Sequence, residues 1–127
     1  MRKAGRACIS ARLLLEAGDT DGACNGACNG AYYAMFDAAK AALPGSAAAI
    51  DPAGLGKTHS GLIAAFGKHL VKPGIVSVEL GRALNRAEEV RLIADYKGDS
   101  IDAADAGEMV TSAEAFVAAM KLKFAPA

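Results

Sequence analysis

A chain of 127 residues has room for one hydrophobic core, and its 53% apolar residues, many of them alanine, exclude a disordered segment and favour helix. Fourteen basic and fourteen acidic residues cancel, so no net charge points to nucleic acid or anionic lipid. No apolar run approaches the about 20 residues that span a bilayer, and three cysteines without a close CxxC fit a reducing cytoplasm rather than a disulfide scaffold.

Four breaks divide the chain: Gly18-Asp19, Pro44-Gly45 through Gly56, Pro73-Gly74, and Gly98-Asp99-Ser100. The first segment starts basic, but its apolar run is only Leu13 to Leu15 and Glu16 follows, which reads as an amphipathic helix rather than a signal peptide. The third places Leu62, Ile63, Phe66 and Leu70 on one face. The fourth carries Val76, Leu80, Ala83, Leu84, Ala87, Val90 and Ala94 at helical spacing. The fifth carries Val110, Ala113, Val117, Met120 and Phe124 in steps of three and four. Ser100, Asp102 and Asp105 open that helix and Lys121 and Lys123 close it, in the order that suits a helix dipole. No segment alternates as a strand would. The pattern predicts one all-α domain over 1–127, an up-and-down antiparallel bundle of four to five helices with 44–57 as its long loop.

The second segment, from Thr20 as N-cap to Leu43, contains "CNGACNGAYYAMF". Wound as a helix, its near-repeat becomes three columns. Gly22, Gly26, Gly30 and Ala34 form a small-residue groove, Asn25, Asn29 and Tyr33 a polar column, and Cys24, Cys28, Tyr32 and Phe36 a column of growing bulk. Each interior glycine costs about 0.5–1 kcal/mol against alanine, so the groove predicts close packing against a neighbouring helix or a second protomer. A homodimer is expected on that ground.

Several motifs fall to simpler readings. Cys24 and Cys28 with His59 and His69 lack the tight spacing of a zinc set and read as core thiols, so no metal or cofactor is expected. Gly56-Lys57-Thr58 matches the end of a phosphate loop, but the motif's first glycine would fall on Asp51 and no strand precedes it. His59 stands on the apolar side of the third helix, as a satisfied histidine or a ligand contact. The fourth helix is richest in chemistry. Arg91 borders the apolar stripe at Val90 and Ala94, where a lone charge is expensive, and Asp95 is its i, i+4 neighbour with Tyr96 adjacent. With Asn29, Tyr33 and His59 from other helices, these residues compose a candidate site for a phosphate or acidic group.

"NGAYYAMFDAAKAAL", "KTHSGLIAAFGKHLVKPG", "ELGRAL", "RLIADY" and "SAEAFV", in that order, resemble the HEPN domain, in particular the prokaryotic stand-alone HEPN proteins, over residues 5 to 124. The resemblance implies a helical bundle, usually a homodimer, partnered by a minimal nucleotidyltransferase in what is often a toxin–antitoxin system. It also implies, for many members, metal-independent RNase activity from an arginine and a following histidine in the dimer cleft. Here Gly30 stands where many relatives carry an arginine before Ala-Tyr-Tyr. Arg91 matches the RNase arginine, but Asp95 and Tyr96 occupy the place of the histidine, and none follows His69. An ionised aspartate accepts a proton readily but donates one poorly to a leaving oxygen.

Two functional readings follow. One is a cytoplasmic binding module, the helical partner of a nucleotidyltransferase, holding a nucleotide, phosphate or RNA group in a dimer cleft through Arg91, Asp95, Tyr96, His59, Asn29 and Tyr33. The other is an enzyme, a divergent metal-independent RNase toxin using Arg91 with Asp95 or His59. Residues 99–114 carry five acids and no base, which ranks a protein partner ahead of nucleic acid.

Overall fold

A computed structural model of the chain describes residues 2–17, 21–43, 59–97 and 103–124, with side chains described for all of these except 2, 17, 21–25, 59, 60, 93–97 and 103. Five helices account for most of them: α1 (Arg2–Ala17), α2 (Asp21–Ala42), α3 (His59–Phe66), α4 (Val78–Lys97) and α5 (Ala103–Phe124). No strand occurs among the described residues, and the all-α bundle expected from the spacing is what forms. Thr20, the loop 44–57, Ser100 and Asp102 lie outside the described residues.

The helix α2 is the hub. Its buried side, Ala27, Cys28, Ala31, Tyr32, Ala34, Met35, Ala38 and Ala39, meets α1, α3, α4 and α5. The predicted columns hold where their side chains are described. Cys28 and Tyr32 are buried with Phe36 packed beside them, whereas Asn29 and Tyr33 are exposed. Cys28 is buried, in line with the core-thiol reading of Cys24 and Cys28, and Cys8 is buried as well; the Cys24 side chain lies outside the described ones. The glycine groove is filled from within the chain. A Cβ on Gly30 would stand 3.3 Å from the Cβ of Ala11 and 3.8 Å from the carbonyl oxygen of Ala7, and one on Gly26 would stand 3.3 Å from Leu14 Cδ1. Helix α1 therefore occupies the groove, and the glycines give no ground for a second protomer there. Poly-alanine faces allow this close approach because they carry little bulk.

The predicted stripes of the later helices are also buried. Leu62 and Phe66 line the core from α3 and Leu70 from the turn that follows it, Leu84 and Ala87 from α4, and Val110, Ala113, Val117 and Met120 from α5, where Phe116, not named in the stripe, is buried with them. Two details were not foreseen. Helix α3 runs into a π-helical turn, Gly67–Val71, closed by Lys72 N–H donating to Gly67 O at 2.9 Å. Val76, expected inside the fourth helix, is buried ahead of it, with its N–H donating to Leu70 O at 2.9 Å. Between them Gly74 adopts φ +83°, a left-handed conformation that reverses the chain after Pro73. Ser77 then caps α4, its Oγ accepting the Leu80 N–H at 3.3 Å.

Helices α1 and α5 run antiparallel. Arg12 Nε donates to Glu114 Oε2 at 3.3 Å, its second nitrogen pairs with Glu114 Oε1, and Lys121 lies over Gly5. Arg12 pulls the Glu114 carboxyl below its usual range. No helix among the described residues is long and apolar enough to cross a membrane.

Candidate functional site

Helix α4 crosses α2 so that Leu84, Ala87, Glu88 and Arg91 follow one another at steps of three, one and three along its inner side. The first two are fully buried; the last two are charged but nearly so. The Arg91 side chain is 16% exposed and that of Glu88 14%. Arg91 Cζ stands 4.8 Å from the ring centroid of Tyr32, a cation–π contact strengthened by its partial desolvation. Its terminal nitrogen is 3.7 Å from Glu88 Oε1.

Tyr32 anchors the cluster from α2. Its ring is fully buried, meets Tyr33 edge-on at 5.4 Å and leans on Phe36 at 6.1 Å. Burial first, and then the Glu88 carboxylate, push the phenol above its ordinary range, against the pull of Arg91, so Tyr32 is a neutral phenol at physiological pH. Glu88 Oε2 is buried and has no hydrogen-bond partner among the described residues. The arrangement is a guanidinium set over a ring and flanked by a carboxylate, one of whose oxygens is buried.

Of the sequence-predicted residues, Arg91 is at the centre of this cluster. Tyr33 is 40% exposed and reaches it through the Tyr32 ring, and Asn29 lies exposed one turn earlier on α2. The side chains of Asp95, Tyr96 and His59 lie outside the described residues. Among the described side chains Arg91 pairs with Glu88, one turn before it; the expected pairing with Asp95 falls on a side chain outside the described ones. Glu88 and Tyr32 were missed, although a signal existed: Glu88 and Arg91 continue the i, i+3, i+4, i+7 stripe begun by Leu84 and Ala87. A glutamate and an arginine on that stripe, three apart, point to a pair turned inward.

Comparison with known proteins supplies the family. The model described as HEPN domain matches residues 1–123. The chain belongs to the HEPN domain family. Among its relatives, a UPF0332 protein of Gloeobacter violaceus is 35% identical over 77% of this chain and 70% of its own. A UPF0332 protein of Thermotoga maritima is 35% identical over 75% of this chain and 65% of its own. A protein of Methanocaldococcus jannaschii named "Putative toxin" is 34% identical over 71% of this chain and 63% of its own. No solved structure matches significantly.

Within this HEPN domain the cluster can do two things chemically. A fixed guanidinium can bind an oxyanion, and a carboxylate can accept a hydrogen bond from a hydroxyl. General-acid chemistry has no described donor here: Tyr32 holds its proton too tightly to pass it on readily near neutral pH.

Proposed function

We propose that this HEPN-domain protein is a binding module, the helical partner subunit of a minimal nucleotidyltransferase in a toxin–antitoxin-like pair. Its bound group is a phosphate that carries a neighbouring hydroxyl, as in a nucleotide or an RNA strand. The observation that carries the reading is the Arg91 guanidinium, mostly buried yet reachable, set over Tyr32 beside the Glu88 carboxylate. A solvated arginine needs no such setting. Arginine keeps its charge at any physiological pH and presents planar donors that suit a phosphate. Glu88, 3.7 Å from it, holds it in place from the same helix. Asp95, Tyr96, His59, Asn29 and Tyr33 remain the proposed surroundings of the ligand.

The test is calorimetric titration of the purified protein with adenosine monophosphate and, separately, inorganic phosphate. The nucleotide should bind measurably tighter than phosphate, and Arg91→Ala should abolish the difference. Equal binding by wild type and Arg91→Ala sinks the reading.

The second reading is the divergent RNase, favoured by the naming of one relative as a toxin. Incubation with RNA in chelator separates the two. Cleavage by wild type that is lost in Arg91→Ala promotes the enzyme over the binding module.

A further inference from the structure

The zero net charge of the chain conceals a polarity in space. Helix α1 runs antiparallel to both α2 and α5, so its start and their ends share one end of the bundle. Lys3 Nζ stands 4.0 Å from Asp37 Oδ2 there, and Lys121 lies over Gly5. That end carries exposed Lys3, Arg6, Lys40, Lys121 and Lys123. Across residues 3–9, 36–43 and 117–124, which compose it, Asp37 is the one acid. The opposite ends of α1 and α5 carry exposed Glu16, Asp105 and Glu108. Helix dipoles account for Lys40, Lys121 and Lys123, which stand in last turns. They oppose Lys3 and Arg6, at the start of α1, where the first turn holds no acid. Apolar side chains share this basic end. Leu122, between Lys121 and Lys123, is 91% exposed, and Ile9, one turn after Arg6, is 63% exposed. Beside Ile9 lies an open groove of about 400 Å³, lined by Gly5, Cys8, Val117 and Ala118 and flanked by Arg6, Lys121 and, toward the acidic end, Glu114.

We propose that this end of the bundle docks on an anionic phospholipid surface. Its cations complement the lipid phosphates, and each one brought near such a surface adds to the attraction. Nucleic acid offers the same charge but no apolar phase. A leucine as exposed as Leu122 gains nothing against a phosphate backbone, whereas at a bilayer it leaves water for the headgroup boundary. Lys121 and Lys123 on either side can lay their aliphatic stems beside it and keep their ammonium groups among the phosphates. The groove follows the same order, with apolar walls beneath cations, as an amphiphile is built. Burial pushes the Cys8 thiol up, so the groove holds a neutral sulfur rather than a thiolate at physiological pH. The chain need not span the bilayer for this: contact comes from a charged pole with one or two aliphatic side chains. None of the residues around Arg91 takes part, so the docking stands or falls apart from the phosphate site.

Co-sedimentation of the full chain with vesicles tests this. Vesicles of phosphatidylglycerol mixed with phosphatidylcholine should carry the protein down, and phosphatidylcholine vesicles alone should not. The double variant Lys3→Glu/Lys123→Glu should weaken partitioning by about tenfold or more. Leu122→Ser, which leaves every charge in place, should weaken it by about threefold or more. The chain has no tryptophan, so Leu122→Trp supplies a single fluorophore at the contact. Its emission should shift to the blue on the anionic vesicles and be quenched by brominated acyl chains. All three positions are exposed, so folding should survive, and circular dichroism checks that each variant keeps its helices. Equal sedimentation with neutral vesicles, partitioning unchanged by the charge reversal, or unmoved tryptophan emission overturns the proposal. So does a polyuridine strand that displaces the protein from the vesicles while Leu122→Ser binds that strand as well as wild type, which would assign the basic end to nucleic acid.

Discussion

Breaking the Arg91–Glu88 pair from its two ends should not cost the same. Arg91→Ala leaves the Glu88 carboxylate without its neighbouring guanidinium and uncovers the face of Tyr32. A fully buried pair broken this way costs about 3–5 kcal/mol; with a sixth or so of each side chain exposed, about 2–3 kcal/mol is expected. Glu88→Gln keeps the shape and an acceptor oxygen while removing the charge, and should cost about 1 kcal/mol or less. Urea denaturation measures both. The glutamine variant carries a second readout: with the competing carboxylate gone, an anionic ligand should bind Arg91 more tightly. A stability loss at Glu88→Gln equal to that at Arg91→Ala would mean that the pair is structural mortar rather than a poised cation. Arg91→Lys keeps the charge but not the planar fork of donors, so it should not rescue.

Among the elements, the α1–α2 contact makes the sharpest distinction between two glycines that look alike in sequence. At Gly26 a new methyl would meet only Leu14 Cδ1, the end of a flexible side chain that is itself 42% exposed. Leu14 can swing away, so Gly26→Ala should raise stability by about 0.5–1 kcal/mol through helix propensity. At Gly30 the methyl would meet Ala11 Cβ at 3.3 Å and its Cα at 3.7 Å, which can give only if α1 moves. Gly30→Ala should lose the propensity gain, and Gly30→Leu should cost about 1–3 kcal/mol by overpacking. Thermal melts of the variants decide it; a stabilising Gly30→Ala would show that α1 is loosely seated.

Much of this element-level architecture was legible in the sequence because helical spacing carries it. Leu62, Phe66 and Leu70, or Val110, Ala113, Val117 and Met120, need only the 3.6-residue period to reveal their buried side. The columns of α2 were legible for the same reason. Which neighbour filled the glycine groove was not, since periodicity says that something comes close but not what. The π-helical turn at Gly67–Val71 had no local signature; it sets Val71 against α4, where Val71 Cγ2 stands 3.0 Å from the position of a Cβ on Gly81. The candidate site was half legible. Arg91 betrayed itself by lying at the edge of an apolar stripe. Tyr32 did not, because an aromatic in a buried column signals core packing, and the cation above it comes from a helix more than 50 positions away in the chain.

For the whole molecule, the decisive geometry is that α2 is used from opposite sides. One side carries the ring under Arg91, and the other is lined by α1. The packing of α1 and the setting of Arg91 are therefore separable on α2.

The closure of α1 onto α5 has a consequence for how the chain reaches its final shape. Helices α1 and α2 are consecutive, so their contact closes a short loop at little entropic cost, whereas Arg12 and Glu114 meet across 102 positions. A chain emerging from the ribosome can form the first hairpin early but must wait for its last helix to seal the seam. The two contacts should then differ in time. Gly30→Ala, which disturbs the hairpin, is expected to slow refolding. Leu15→Ala, which trims the partly buried side chain facing Gly107 on α5, is expected to leave refolding unchanged and hasten unfolding. Stopped-flow traces in both directions would show it, and slower refolding by the Leu15 variant would place the final helix in the nucleus instead. Until that helix arrives, Cys8 and the alanines of the first hairpin stay uncovered, which makes the unfinished chain, rather than the finished one, the form most in need of a chaperone.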